Sequence, residues 1–216
     1  MKRRDFSLAC SAVVAGAGLF QTQAQAQGKP PELGTDYLPV DPRAPVDAPA
    51  GKIEVVEFFG YWCPHCNAFE PTFEAWRQRA AKDVVVRRVP VTFRDDNAPL
   101  QRLYFSLEAM GLVDKLHAKV FAAIHVERKD LSKGDGIVDW IAKQGVDKVK
   151  FMEQYNSFSV ATKASRATQL HSTYKIEGVP ALGVAGRYWT DGAMAKSLPR
   201  SLEVVDFLVA RVRSGK

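Results

Sequence analysis

The segment from Lys52 to Phe59, KIEVVEFF, most constrains what this chain can fold into. Its β-branched and aromatic residues end at Gly60, which predicts a buried strand. After it, apolar side chains recur at helical spacing, at Phe69, Phe73, Trp76 and Ala80. Pro64 suits the first position of that helix, where a missing N–H costs nothing. A strand therefore passes directly into a helix, and Cys63 and Cys66 lie at the junction.

Three further strands are predicted along the chain. One is VVVRRVPV at 84–91, and two more, PALGV at 180–184 and RYWT at 187–190, are joined by a turn at Ala185-Gly186. Strands separated by helices favour a sheet with parallel members and helices on its faces. The chain is thus predicted to be an α/β protein.

Helices are predicted in the long segment between the second and third strands. Its apolar stripes include Leu100, Leu103, Leu107 and Met110, and then Val113, Leu116, Val120 and Ile124. The segment from about 95 to 172 is too long for one crossover, so we interpret it as an inserted all-helical subdomain. A last helix is predicted with Ser201 as its cap. An irregular arm at 28–49 is expected to hold a short strand near Tyr37–Val40.

The first 26 residues resemble a secretory signal. Lys2, Arg3 and Arg4 precede an apolar stretch, and Ala24-Gln25-Ala26 supplies a small-residue cleavage site. The alternative is a membrane anchor, which the apolar stretch of about 15 residues is too short to form comfortably. Removing 26 of the 216 residues leaves 190, and the formal charge falls from +6 to +4. The basic residues are interspersed with acids, so no nucleic-acid surface is predicted.

Cleavage would also remove Cys10 and leave only two cysteines, Cys63 and Cys66. In an oxidising compartment such a pair forms either a structural disulfide that stabilises the fold or a reactive disulfide that exchanges with other thiols. A bridge across two intervening residues closes a very short loop, which constrains the unfolded chain little. The spacing therefore favours a reactive pair.

The junction of strand and helix explains why this pair would react. Unpaired N–H groups and the helix dipole stabilise a negative charge at a helix N-terminus, so the pKa of Cys63 should fall. A protonated His65 and the N–H of Cys66 would stabilise the thiolate further. Stabilising the reduced form makes the disulfide a stronger oxidant.

Metal and haem sites are the alternatives for such a spacing. A zinc site normally needs four ligands, and the remaining histidines have no partner at ligand spacing. A c-type haem needs a histidine after the second cysteine, where this chain has Asn67. We therefore expect no metal and no organic cofactor. His117, His125 and His171 are interpreted as surface or hydrogen-bonded core residues.

At this point the residues match a known family. VVEFFGYWCPHCNAFEP and the later GVPALGVAGRYW resemble the DsbA family, the periplasmic thiol:disulfide oxidoreductases of Gram-negative bacteria. The resemblance covers nearly all of the chain after the signal. It implies a thioredoxin fold, with a mixed sheet flanked by helices, over 27–94 and 173–216 and an inserted helical domain over 95–172. Pro71 matches a helix kink of that fold.

The resemblance assigns roles to individual residues. Cys63 would be the exposed sulfur that a client thiolate attacks, and Cys66 the buried resolving sulfur of a redox-active Cys63–Cys66 disulfide. Pro64 and His65 would tune the pair. Val179-Pro180 would form a cis peptide bond beside the disulfide, which proline alone adopts at low cost. The backbone of Val179 would then pair with a client strand.

Two acids and three aromatic residues complete the predicted site. Burying a carboxylate in a sheet that is covered on both faces is costly, so Glu57 is interpreted as a buried acid that exchanges protons with Cys66. The alternative is that Glu57 occupies an exposed position of the strand. Glu70 matches a family acid near the active site. Phe59, Tyr61 and Trp62 are expected to be partly exposed and to contact unfolded chains, with core packing as the alternative, above all for Phe59. Trp62 is assigned to client binding.

The predicted function is oxidation of cysteine pairs in newly exported proteins. The resemblance implies reoxidation by a DsbB-like membrane protein that carries a quinone, and we expect a monomer in the periplasm. A disulfide isomerase or reductase is one alternative. A chaperone or binding module whose cysteines are idle is the alternative from a different class.

Overall fold

The structure, a computed structural model, describes residues 29–215 and confirms the predicted order of elements. The predicted signal lies outside the described residues. Five strands and seven α-helices follow one another within that range. They are β1 Leu38–Pro39, β2 Ile53–Phe59, α1 Pro64–Arg79, β3 Val84–Pro90, α2 Ala98–Ala109, α3 Val113–His125, α4 Gly134–Lys143, α5 Lys148–Tyr155, α6 Phe158–Thr173, β4 Ala181–Val184, β5 Tyr188–Asp191 and α7 Leu198–Arg213. A short 3₁₀ turn, Asp95–Asn97, precedes α2.

The strands form one mixed sheet in the order β1-β5-β4-β2-β3. β2 pairs parallel with β3 and antiparallel with β4, while β5 pairs antiparallel with both β4 and β1. In this register Glu57 lies opposite Arg88, and Phe58 lies opposite Ala181. The start of β4 therefore meets the end of β2, which brings the residues before Ala181 close to the cysteines that follow β2.

Both faces of the sheet are covered, so all seven residues of β2 are buried. Val55 packs with Phe73 of α1 and Val205 of α7 in the core on one face. Val56 and Phe58 belong to the core that the inserted helices complete. Because side chains alternate along a strand, Glu57 points to the same face as Val55, beneath α1.

The inserted helices α2 to α6 lie between β3 and β4 in sequence. The chain from Pro31 onward forms one compact unit, and the core of these helices is continuous with that of the sheet. The boundaries predicted for two domains, at 95 and 172, stay a prediction. Among the described residues, no helix is both long and apolar enough to cross a membrane.

The predicted turn at Ala185-Gly186 joins β4 to β5, and both residues have positive φ, 53° and 65°. Gly186 also approaches the backbone closely, since a Cβ there would lie 2.3 Å from the carbonyl oxygen of Ala44. Two successive positive φ values are what a type I′ turn requires, and the N–H of Arg187 closes this turn on the carbonyl of Val184 at 2.9 Å. This part of the sequence prediction is confirmed.

The predicted cap of α7 was wrong by four residues. Ser197 precedes the helix, and its hydroxyl accepts a hydrogen bond from the N–H of Arg200 at 3.2 Å. Ser201 instead lies in the first turn, buried, and donates to the carbonyl of Leu198 at 2.6 Å. The helix begins earlier because Pro199 is compatible with its first turn, where no N–H is needed.

We expect Ser197→Ala to lower the free energy of unfolding by about 1 kcal/mol, because it removes a side-chain cap from a backbone N–H of α7. Urea unfolding followed by circular dichroism measures the change. Ser165→Ala, at an exposed position within α6, serves as the control and should cost little. Equal losses in both variants would contradict the assignment of the cap.

Candidate active site

The turn between β2 and α1 places the two cysteines at the start of a helix. Cys63 is the N-cap of α1, with φ −86° and ψ 118°, and Pro64 occupies the first turn as predicted. Gly60 ends the strand, and a Cβ there would lie 2.5 Å from Nε1 of Trp62. Glycine is thus required because the indole ring folds back over the strand end.

The sulfur of Cys63 lies in surroundings that stabilise a thiolate. The thiol of Cys66 donates to it, and the backbone N–H groups of Cys66 and His65 add to that effect. The charge of His65 contributes least among these causes. Together they outweigh partial burial and lower the pKa of Cys63 to about 6. The predicted acidic thiolate is supported, although the neighbouring thiol contributes more than the histidine does.

Cys66 has the opposite environment. It is 1% exposed, and burial raises its pKa far above the ordinary value. Its hydrogen bond to Cys63 and the negative charges of Cys63 and Glu57 raise the pKa further. At neutral pH, Cys66 therefore stays protonated while Cys63 ionises, which separates the roles of two sulfurs three positions apart.

Cys63 is more buried than predicted. Only 4% of its surface is exposed, and its Sγ donates to the carbonyl oxygen of Val179 at 3.3 Å. Trp62 and Val179 pack against the core that includes it. The expectation of an exposed sulfur was wrong because the loop before β4 covers this side of the helix end.

The loop before β4 also confirms the predicted peptide geometry. The Val179–Pro180 bond is cis, Pro180 is buried and Val179 is half-buried. A groove of about 420 Å³ opens beside it, lined by His65, Gly178, Val179, Pro180, Asp191 and Leu198. The groove places an exposed face of His65 next to the backbone that was predicted to bind clients.

The aromatic residues before Cys63 were only partly predicted. Phe59 and Tyr61 are 0% and 1% exposed, so the expectation that they face clients was wrong. Both enter an aromatic cluster with Tyr104 and Phe121 from the inserted helices. Trp62 is half-buried and stacks edge-on against Phe93, at 5.9 Å between ring centroids. Phe93, with 38% of its surface exposed, was not singled out in the sequence.

Glu57 is buried, as predicted, but it is not alone. It is 1% exposed, and Arg88 Nε donates to its Oε2 at 3.1 Å across the β2–β3 pair. Burial raises the pKa of Glu57 to about 8 although Arg88 opposes that shift, while the charges of Glu70 and Glu74 reinforce it. A carboxyl that keeps its proton near neutral pH suits a group that exchanges protons.

Glu70, on α1, joins the same cluster. Arg88 Nη2 donates to Glu70 Oε1 at 2.6 Å and to Glu74 Oε2 at 3.2 Å. His117 from α3 lies on the other side of Glu70, with Nε2 3.3 Å from Oε2. Sequence reasoning missed Arg88 and the position of His117, since neither follows from spacing along the chain.

Among residues 29–215, no group of three or more histidine, cysteine or acidic side chains is placed to hold a metal ion. Within that range the two cysteines are free thiols. The site thus contains two thiols beside a groove, one with a lowered pKa and one with a strongly raised pKa.

Comparison with known proteins identifies the family to which the chain belongs. The model of the DSBA-like thioredoxin domain matches residues 54–202, which include the cysteines, Pro180 and all of the inserted helices. The chain belongs to the DSBA-like thioredoxin family. Membership confirms the predicted thioredoxin-type fold with inserted helices.

Individual relatives agree with the family model. The chain is 44% identical over 215 residues to the thiol:disulfide interchange protein DsbA of Bordetella pertussis, covering 99% of this chain and 100% of that one. It is 42% identical over 206 residues to the DsbA of Burkholderia cepacia, covering 95% and 97%. The crystal structure of Pseudomonas aeruginosa DsbA superposes with a TM-score of 0.82 at 37% identity, covering 86% of this chain and 96% of that one.

This family membership makes the chain a thiol:disulfide oxidoreductase. Members of the DSBA-like family use a redox-active disulfide and no external cofactor. Of the two predicted classes, an enzyme and a binding module with idle cysteines, the family supports the enzyme.

The thiolate of Cys63 can be titrated by its ultraviolet absorbance. We expect a midpoint near pH 6 in the reduced protein. Cys66→Ala should raise the midpoint, since it removes the strongest stabilising hydrogen bond, and His65→Gln should raise it less. A smaller shift for Cys66→Ala than for His65→Gln would contradict the conclusion that the neighbouring thiol contributes more than the histidine.

The pKa of Glu57 predicts how stability changes with pH. Between its ordinary value of 4.5 and about 8, the unfolded chain loses this proton while the folded protein keeps it, so stability falls as pH rises. Glu57→Gln mimics the protonated acid. Its stability advantage over wild type should therefore grow from pH 5 to pH 8, by up to about 1.4 kcal/mol per pH unit.

Urea unfolding of the reduced protein at pH 5, 6.5 and 8 measures this difference. Glu108→Gln, which removes one carboxylate paired with Lys163 at the surface, supplies the baseline for loss of a charge. A Glu57→Gln advantage that shrinks with rising pH would show that Glu57 is ionised in the fold.

Proposed function

We propose that this protein is a periplasmic dithiol oxidase that donates a Cys63–Cys66 disulfide to newly exported proteins. The observation that carries the proposal is the difference between the sulfurs. The pKa of Cys63 is lowered to about 6 and that of Cys66 is raised far above its usual value. A stable thiolate on Cys63 favours the reduced state of the enzyme, so its disulfide is readily transferred to a client.

The reaction begins when a client thiolate attacks Sγ of Cys63. A client–Cys63 bond forms, the Cys63–Cys66 bond breaks, and Cys66 leaves as a thiolate that takes up a proton. A second client thiolate then attacks the client sulfur of this mixed disulfide. The client gains a disulfide, and Cys63 leaves as a thiolate, which is a good leaving group because its pKa is low.

Glu57 is the proposed source of the proton for Cys66. It lies in the strand beneath α1, and its charge is one of the causes that raise the pKa of Cys66. With its own pKa near 8, Glu57 holds a proton at neutral pH and can release it to a much stronger base. Transfer to the Cys66 thiolate avoids an uncompensated charge in the buried site.

Clients are proposed to dock against the loop before β4. The carbonyl of Val179 is 3.3 Å from the Cys63 sulfur, so a client backbone paired there would place its own sulfur beside Cys63. The groove lined by His65, Pro180 and Leu198 can accept neighbouring client side chains. Trp62 and Phe93 offer an aromatic surface on another side of the cysteine.

The cellular setting of the proposal follows from the family resemblance. The signal-like first 26 residues support export to the periplasm of a Gram-negative bacterium, where disulfides persist. Each turnover leaves two electrons on the cysteine pair. A DsbB-like membrane oxidase bearing a quinone is the proposed acceptor, and the protein is proposed to act as a monomer.

Cysteine variants and a reduced, unfolded client test the function. Cys63→Ser should abolish client oxidation. Cys66→Ala, first loaded with glutathione as a disulfide on Cys63, should exchange the glutathione for a client thiol and accumulate a mixed disulfide with the client, seen on non-reducing gels. Equilibration of the wild type with glutathione supplies the second measurement, and we expect an oxidising potential. A reducing potential would replace the oxidase proposal with a reductase, and full activity of Cys63→Ser would overturn it.

A further inference from the structure

The turn that delivers Cys63 to α1 is formed by residues 60–63. It is closed by the N–H of Cys63, which donates to the carbonyl oxygen of Gly60 at 3.0 Å. Tyr61 and Trp62 are the two central residues of this turn. The strand before the turn and the helix after it belong to the thioredoxin fold, whereas the inserted helices contact Tyr61 from the side.

We propose that His125, the last residue of α3, is a positioning residue for Cys63. Its Nε2–H binds the carbonyl oxygen of Tyr61, and this contact fixes the turn so that the Cys63 thiolate stays aligned with the N–H groups at the start of α1. The inference rests on the proposed function, in which Cys63 is the sulfur that becomes a thiolate when the disulfide is transferred. It gives the inserted helices a part in setting the redox equilibrium.

One face of α3 binds Tyr61 at both of its polar ends. His117, Phe121 and His125 recur every four residues, so they share that face of the helix. His117 Nδ1 lies 2.7 Å from the Tyr61 hydroxyl, and His125 Nε2 lies 2.8 Å from the Tyr61 carbonyl oxygen. Between them, the ring of Phe121 meets the Tyr61 ring edge-on, with 5.0 Å between centroids. The central residue of the turn is therefore held by a single helix of the insertion.

The acceptor determines which nitrogen of His125 carries hydrogen. A carbonyl oxygen only accepts hydrogen bonds, so Nε2 is the donor. A neutral ring with its hydrogen on Nε2 and a protonated ring both donate in this geometry. The contact therefore persists whether or not the ring is protonated, and His125 supports the turn at every pH at which the protein is folded.

The helix end that carries His125 is itself fixed. The N–H of Glu127 donates to the carbonyl of Ala122 at 2.9 Å, and the N–H of Lys129 donates to the carbonyl of Ala123 at 2.8 Å. These bonds satisfy carbonyl groups that the last turn of a helix otherwise leaves without an intrahelical partner. The donor on His125 is thus presented from a rigid element, which a positioning contact requires.

The bond from His125 restrains a part of the turn that side-chain packing does not. The carbonyl of Tyr61 belongs to the central peptide group of the turn, and the orientation of that group distinguishes one type of β-turn from another. The buried ring of Tyr61 fixes the side chain, but it leaves this peptide group free to rotate. A donor on the carbonyl oxygen removes that freedom, and with it the movement that it would pass on to Cys63.

The contact matters more in the reduced state than in the oxidised state. In the disulfide, the covalent bond to Cys66 keeps Cys63 at the helix start. In the dithiol form, only noncovalent contacts hold the sulfur where the N–H groups of His65 and Cys66 stabilise its negative charge. A turn that moved would leave the thiolate with poorer donors. His125 therefore stabilises the reduced protein, and that makes the disulfide a stronger oxidant.

Ultraviolet titration of the Cys63 thiolate is the first test. His125→Leu removes the donor, so the midpoint should rise by a few tenths of a pH unit or more, the scale of one net hydrogen bond. His125→Gln keeps an amide N–H the same number of bonds from Cβ as Nε2, so its midpoint should stay near that of the wild type. Lys119→Leu, at an exposed position of the same helix, is the control and should leave the midpoint in place.

Equilibration with glutathione is the second test. His125→Leu should shift the equilibrium several-fold toward the disulfide form, while His125→Gln and Lys119→Leu should match the wild type. A purely structural role for His125 would lower the melting temperature of the Leu variant without changing the midpoint or the equilibrium. An unchanged midpoint in His125→Leu, or equal shifts in the Leu and Gln variants, would overturn the proposal.

Hydrogen exchange compares the two redox states. The N–H of Cys63 closes the turn on Gly60, so its exchange rate, followed by NMR, reports how often the turn opens. In the reduced protein His125→Leu should exchange this hydrogen several-fold faster than the wild type, and in the oxidised protein the difference should be small. Equal acceleration in both states would contradict an action on the reduced form. None of these measurements uses a client, so their outcome is independent of whether the protein oxidises exported proteins.

Discussion

A single buried guanidinium, that of Arg88, holds the helix that carries the cysteines to the sheet beneath it. It bonds Glu57 on β2 together with Glu70 and Glu74 on α1, and it packs over the ring of Phe73. Buried charges are tolerated when they are paired, and Arg88 is the basic partner that Glu57 and Glu70 share. The position of α1 over β2 therefore depends on this one cation. The strand register determines where this cation lies, since parallel pairing of β2 with β3 places residue 88 opposite residue 57.

The start of α1 creates two different sulfurs within one turn. Cys63 lies at the cap, where backbone N–H groups and the neighbouring thiol stabilise a negative charge. Cys66 is in the body of the helix, against the core and close to acids, where a negative charge is penalised. The distance along the chain is three residues, yet the electrostatic environments are opposite, because Cys63 meets backbone N–H groups at the helix start while Cys66 is desolvated and lies near acids. The difference between the pKa values of the two thiols sets the direction of the proposed reaction.

Local patterns in the sequence predicted the strand–helix junction, the element order, the turn at Ala185-Gly186 and, through the family resemblance, the cis bond at Pro180. The predictions that failed concerned which residues, distant in the sequence, pack together in the fold. Tyr61 looked like a surface aromatic beside the cysteines, but inserted helices more than forty residues away cover it. Arg88 was not singled out in the sequence, and His117 was interpreted only as a surface or hydrogen-bonded core residue. Their roles depend on strand register and on how α3 packs against α1, which no short motif encodes.

The contact between Cys63 and the carbonyl of Val179 has a consequence for when a client can dock. A protonated Cys63 sulfur donates to that oxygen and so occupies the acceptor that a client backbone would need. Neither a thiolate nor a sulfur in a disulfide has a hydrogen to offer, so in those states the oxygen becomes available. With the pKa of Cys63 near 6, the reduced protein engages this carbonyl oxygen only in acidic solution. At neutral pH both the reduced and the oxidised protein leave the oxygen available to a client.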